Sequence, residues 1–116
     1  MLELMMYKIE FTELFRDDIV DANEYLMDKS KSKFVVRNYF KTVYDKIYQI
    51  KEMPFAWSLV DDDHLASKGY RSFLAKNYLI FFNIIENEKV IRMYRFLHSS
   101  RDWASILKED IEDENS

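Results

Sequence analysis

Three side chains in the second half of the chain could perform acid–base chemistry at a phosphodiester. His98 ends the last strand-like run, and an imidazole can give or take a proton near neutral pH. Arg71 and Arg101 are permanently charged and can bind a phosphate through paired N–H groups. We therefore predict a catalytic set of His98, Arg101 and Arg71, with the histidine as acid or base and the arginines stabilising the phosphate.

Three further residues are candidates for binding a substrate beside this set: Arg95, Arg92 and Tyr78. Because side chains alternate along a strand, Arg92 and Arg95 are expected on opposite faces, so that one of them could join the site. The alternation along the strand does not show which of the two arginines faces the site. Tyr78 could stack on a base, although aromatic residues in strands usually belong to the core.

Each catalytic candidate also has a structural interpretation. His98 could be a strand-end histidine that hydrogen-bonds a loop carbonyl. Arg101 and Asp102 could form a local ion pair that caps the last helix, and Arg71 could pair with the acidic loop before it. The sequence leaves both interpretations open.

The run Asp61-Asp62-Asp63-His64 has the residue types of a metal site. Consecutive residues rarely converge on one ion, however, and no spaced carboxylate or second histidine completes a ligand set. We interpret the run as a solvated loop and expect neither a metal nor a cofactor. The chain contains no cysteine, which excludes disulfides and thiolate sites.

Periodicity predicts the elements that would position these residues. Alternating apolar residues from Tyr7 to Phe11 indicate a strand. Thr12 and Ser32 are predicted N-caps of two successive amphipathic helices, and Pro54 ends the second one. The strand-like runs that follow Gly69 are 70–74, 78–85 and 90–97.

Short polar links join these three runs, so they must be antiparallel neighbours. A short helix is expected from Arg101 onward. The predicted fold class is α+β: an N-terminal strand, a helical hairpin and a three-stranded antiparallel meander form one sheet with helices packed on one face, followed by a short C-terminal helix. The other face is expected to be open and available for function.

The composition predicts one globular domain over residues 1–108 and an acidic, flexible tail over 109–116. Hydrophobic residues make up 48% of the 116 residues, enough for one core. Residues 108–116 hold one lysine and five acidic residues, which accounts for the whole net charge of −4. This charge argues against a general nucleic-acid binder. The start of the chain lacks the basic residues of a signal peptide, no apolar run could span a membrane, and a cytoplasmic location is expected.

From Gly69 onward the chain resembles the C-terminal half of the RelE/ParE toxin superfamily. In that family a glycine-tyrosine-arginine strand precedes an aromatic strand and a third strand that ends in histidine shortly before arginine-aspartate. The matching residues are Gly69-Tyr70-Arg71, the run 77–82, the run 90–98, and Arg101-Asp102. The position of the helical hairpin extends the resemblance over residues 7–108.

The resemblance implies the toxin of a type II toxin–antitoxin or plasmid stabilisation system, held inactive by a cognate antitoxin. RelE-like members cleave mRNA on the ribosome without metal, whereas ParE-like members inhibit DNA gyrase. The ribosome with its mRNA, or gyrase, would be the target, and the enzyme class stays open between them. A homologue that binds its antitoxin without being toxic is a further alternative. Under any of these functions, Arg71 could be an antitoxin contact and not a catalytic residue. Ribosome-dependent members are strongly basic, so the acidity of this chain weakens the nuclease interpretation.

Overall fold

A computed structural model describes residues 6–114 of the protein. Residues 1–5 and 115–116 lie outside this range. The first group contains most of the N-terminal segment that we do not interpret as a signal peptide, and the second is the end of the predicted tail. The strands are β1 (Lys8–Phe11), β2 (Arg71–Ala75), β3 (Tyr78–Ile85) and β4 (Val90–His98). The helices are α1 (Glu13–Ser30), α2 (Lys33–Glu52), α3 (Asp63–Ser67) and α4 (Trp103–Glu114).

The four strands form one sheet in the order β1-β4-β3-β2. The last three strands form the predicted antiparallel meander. β1 pairs in parallel with β4, so the first and last strands of the chain are neighbours. The predicted α+β fold class is confirmed.

The helical hairpin forms where its capping residues predict. The hydroxyl of Thr12 accepts a hydrogen bond from the backbone N–H of Phe15, and that of Ser32 accepts one from Val35. Lys31, in the left-handed conformation with φ of 58°, ends α1. The buried faces of both helices pack on one face of the sheet. Their core residues are Phe15, Ala22, Val43, Ile47 and Ile50.

The expectation that the other face is open is wrong, because α3 and α4 cover much of it. A second core cluster contains Leu65 of α3, Phe81 and Tyr94 of the sheet, and Leu107 and Ile111 of α4. Leu65 and Leu107 have no exposed surface. The sheet is therefore packed on both faces.

The predicted boundary at residue 108 falls inside α4. The helix continues through Glu114, so residues 109–114 of the predicted tail are helical. The reason is that Ile111 lies one turn after Leu107 and is buried in the same cluster. Asp110 also forms an ion pair with Arg95. Because residues 109–114 are mostly acidic, the single buried residue Ile111 in the last turns of α4 was not recognised from the sequence.

A β-bulge in β4 changes which residues share a face. Phe81 of β3 is opposite Arg95, but Phe82 is opposite Met93, so Tyr94 is an extra residue. Arg92 therefore lies on the same side of the sheet as Tyr94, and Arg95 also reaches toward α4 on that side. The expectation that Arg92 and Arg95 point to opposite faces is wrong for this reason.

Among residues 6–114, no helix combines the length and the apolar composition needed to cross a bilayer.

The packing of α4 gives a first testable prediction. Ile111→Ala should lower the free energy of unfolding by about 2–4 kcal/mol, because it removes a buried side chain from the second core cluster. Urea denaturation followed by circular dichroism measures this change. The control is Val20→Ala, whose side chain is 54% exposed and whose loss should change stability by less than about 0.5 kcal/mol. Equal stability of both variants would show that α4 does not contribute to the core.

Candidate functional site

The end of β4 brings three of the predicted site residues together. His98, Tyr78 and Arg101 line a shallow hollow beside α1, together with Asp21 and Tyr25. His98 is directly opposite Tyr78 in the sheet, and their ring centroids are 5.3 Å apart. The hollow therefore contains one imidazole, one guanidinium and at least one carboxylate.

His98 is held by the turn that follows it. The backbone N–H of Ser100 donates to Nδ1 at 3.2 Å, and the Ser100 hydroxyl lies 2.8 Å from the same nitrogen. The neutral ring therefore carries its proton on Nε2. The ring contacts a side chain and an N–H of the loop, not the loop carbonyl that was the structural alternative.

Arg101 and Asp102 do not pair with each other in the described structure. Asp102 accepts hydrogen bonds from the hydroxyl and, at 3.4 Å, the N–H of Ser105, and so caps the N-terminus of α4. Arg101 is exposed. Among residues 6–114 it has no carboxylate within ion-pairing distance.

Tyr78 belongs to the core. Its side chain is 7% exposed, and its ring stacks on Phe96 with centroids 4.5 Å apart and planes 1° from parallel. Burial raises the pKa of its phenol. The face of the ring that stacking on a base would need is therefore already used.

Arg95 is the centre of a nearly buried ion network. Its Nε and Nη2 donate to the two carboxylate oxygens of Asp18 on α1 at 2.7 and 2.8 Å. Its Nη1 donates to Asp110 on α4 at 2.8 Å. Asp18 also accepts a bond of 2.9 Å from the backbone N–H of Phe96, beyond the end of β1. Arg95 thus joins α1, β4 and α4.

The charge of Arg95 is fixed by its two partners. Burial would lower the pKa of the guanidinium, but the hydrogen bonds to Asp18 and Asp110 outweigh it and hold the pKa above the usual value. The side chain is only 12% exposed. It is therefore occupied and does not offer donors to a substrate.

Arg92 lies in a separate basin on the α4 side of the sheet. Its Nε is 4.0 Å from Glu10, and the guanidinium is about half exposed. The basin also contains Lys68, Glu86 and Glu114, so cations and anions are mixed there. No concentrated positive charge results.

Arg71 is not brought to His98. It is level with Phe82, whereas His98 is level with Tyr78, four residues away along β3. The two residues are thus separated by about 13 Å along the strands and by two strand spacings of about 4.8 Å. Core side chains, including Phe73 and Ile80, lie between them. Arg71 instead donates to the carbonyl of Trp57 at 2.7 Å.

The acidic run is a helix start. Asp62 caps α3 by accepting from the N–H of Leu65, and it pairs with Lys108 of α4 at 2.8 Å. Hydrogen bonds from Lys108 and from Leu65 lower the pKa of Asp62. In the part of the chain that the structure describes, acidic and histidine side chains do not gather into a group of three that could hold a metal ion.

The family model described as the ParE toxin of the type II toxin–antitoxin system parDE matches residues 9–103. The chain belongs to this ParE toxin family. It is therefore a type II toxin, and membership implies a cognate antitoxin. A search of curated proteins gives no match.

The ion network gives a second prediction. Arg95→Met should destabilise the fold by about 3–5 kcal/mol, because two carboxylates that are nearly buried lose their counter-charge. The matched control is Arg92→Met, whose exposed pair should contribute at most about 1 kcal/mol. Urea unfolding of both variants gives the comparison. Similar stability of the two would contradict the structural role of Arg95.

Proposed function

We propose that this ParE-family toxin acts by binding a protein target, DNA gyrase, and not by cutting RNA. One observation carries the proposal: the cations that a ribonuclease needs are not assembled at His98. Arg95 is neutralised by Asp18 and Asp110, and Arg71 lies beyond the core. Within the described residues, Arg101 alone supplies free positive charge to the hollow.

The carboxylates of the hollow strengthen this proposal. Asp21 lines the hollow with His98 and Arg101, so an incoming phosphate would meet a negative charge beside the positive one. Stabilisation of a developing phosphate charge needs preorganised cations. A net charge of −4 for the whole chain also provides little counterion release on ribosomal RNA. Contact with a protein places none of these demands on the site.

A nuclease activity is the second candidate, and the proximity of His98 and Arg101 is the observation that favours it. In that case His98 would transfer a proton and Arg101 would bind the phosphate. The two candidates differ in what they need: only cleavage requires the imidazole. A cytoplasmic location, where both targets lie, is part of either proposal.

The target is tested with purified toxin in two parallel assays. The first assay measures the supercoiling of relaxed plasmid by gyrase in the presence of the toxin. The second measures whether mRNA on translating ribosomes stays intact. We expect blocked supercoiling and intact mRNA. His98→Gln and Arg101→Ala serve as matched variants in the mRNA assay. Fragments that form with the wild type and disappear with these variants would refute gyrase binding as the action and establish cleavage.

The antitoxin is tested separately. Co-expression of the toxin with the small open reading frame beside its gene should yield a complex that co-purifies through a tag on either protein. The physical reason is that a segment folding on the toxin would cover its exposed apolar side chains. Recovery of the toxin without the second protein would count against this pairing.

A further inference from the structure

Arg71 lies at the outer edge of the sheet, away from His98, among a separate group of side chains. β2 is the edge strand. Three aromatic and two cationic side chains meet beside it, and we call them the β2-edge patch. Its members are Lys46, Phe55, Trp57, Arg71 and Phe73.

Ring contacts hold the two cations of the patch in place. The centroids of Trp57 and Phe73 are 4.0 Å apart. The guanidinium of Arg71 lies over Phe55 at 5.2 Å, and the ammonium of Lys46 lies over Phe73 at 5.3 Å. Because Arg71 and Phe73 are two residues apart on one strand, they project from the same face. The patch thus holds two cations near each other on aromatic surfaces.

Neither cation has an anionic partner among residues 6–114. Arg71 donates one hydrogen bond, to the carbonyl of Trp57. Most of its N–H groups are therefore unused. It is half-buried, as is Lys46. Arg95, in contrast, is bonded to two carboxylates. A partly desolvated guanidinium gains more from a carboxylate than an exposed one does.

The segment that leads into the patch is unusually apolar for a surface. Met53 is 64% exposed, Phe55 56% and Leu59 45%. Leu59 forms an isolated bridge with Arg71, so it lies directly beside the patch. The indole Nε1 of Trp57 is buried without a hydrogen-bond partner among the described residues. Exposed apolar side chains therefore lie beside the unused N–H groups of Arg71.

We propose that the β2-edge patch docks a segment of the cognate antitoxin in which carboxylates stand next to apolar side chains. The carboxylates pair with Arg71 and Lys46, and the apolar side chains cover Phe55 and Leu59. Charge complementarity selects this occupant, since two unpaired cations in an apolar setting require an acidic and apolar partner. A nucleic acid would satisfy the cations and could stack a base on Phe55, but it would leave the aliphatic side chains of Met53 and Leu59 in water. The proposal rests on the family-level partner, and it is independent of the action on gyrase.

The experiment measures the dissociation constant of full-length toxin for the antitoxin encoded beside its gene. Both proteins are purified separately and titrated by calorimetry at two salt concentrations. The test variant is Lys46→Gln with Arg71→Gln. The control is Lys29→Gln with Arg37→Gln, which removes the same charge from exposed positions elsewhere; Lys29 also lies over an aromatic ring, that of Tyr25. Circular dichroism confirms that each variant is folded.

We expect the test variant to bind at least tenfold more weakly and the control to change less than twofold. Added salt should weaken the wild type more than the test variant, because the ion pairs are absent from the latter. Equal weakening of the two double variants would overturn the proposal in favour of general charge attraction. Failure of toxin and antitoxin to bind at all would also overturn it.

A second measurement does not depend on removing charge. In a Trp103→Phe background Trp57 is the remaining indole, so its emission reports on the patch. Saturation with antitoxin should shift this emission to shorter wavelength as the patch loses water. Phe55→Ala, at an exposed position, should weaken binding without affecting the fold. Tight binding with unchanged Trp57 emission would place the antitoxin elsewhere and refute the proposal.

Discussion

The nearly buried guanidinium of Arg95 connects the helical layers on the two faces of the sheet. Asp18 belongs to the hairpin on one face of the sheet and Asp110 to the helix on the other, and β4 lies between them. Where β1 ends, the carboxylate of Asp18 bonds the free N–H of Phe96 and so replaces a missing strand partner. Partly buried charges of this kind are stable only when every member is bonded. The bulge at Tyr94 aims the arginine into this position.

The same interaction determines what the neighbouring hollow can do. Arg95 and its two carboxylates carry a formal charge of −1 together, so this cluster offers no positive charge to a phosphate. The imidazole itself is well oriented by Ser100, but orientation without surrounding cations gives weak electrostatic stabilisation. Structural charge pairing and catalytic charge thus compete for Arg95. In this chain the structural use prevails, and this is the observation behind the proposed action on a protein target.

Local signals in the sequence predicted the fold well and the site poorly. Hydroxyl caps at Thr12 and Ser32 and the tight links between the last three strands are short-range features, and the structure confirms them. Convergence of side chains is a long-range property. The inserted residue at Tyr94 reverses strand parity without any mark in the sequence. Helical spacing of Leu107 and Ile111 was the one available signal that the acidic tail is packed.

The parallel pairing of β1 with β4 has a consequence for how the toxin is made. The hydroxyl of Thr12 bonds the carbonyl of Tyr94, 82 residues later in the chain, and Asp18 meets Phe96 at a separation of 78. Such distant contacts close large loops and make folding slow. Because translation delivers the N-terminal residues first, β1 and α1 must wait for β4 to leave the ribosome. A nascent chain that stops before β4 lacks the partner strand of β1, so the N-terminal strand can join the sheet only after residues 90–98 have been synthesised.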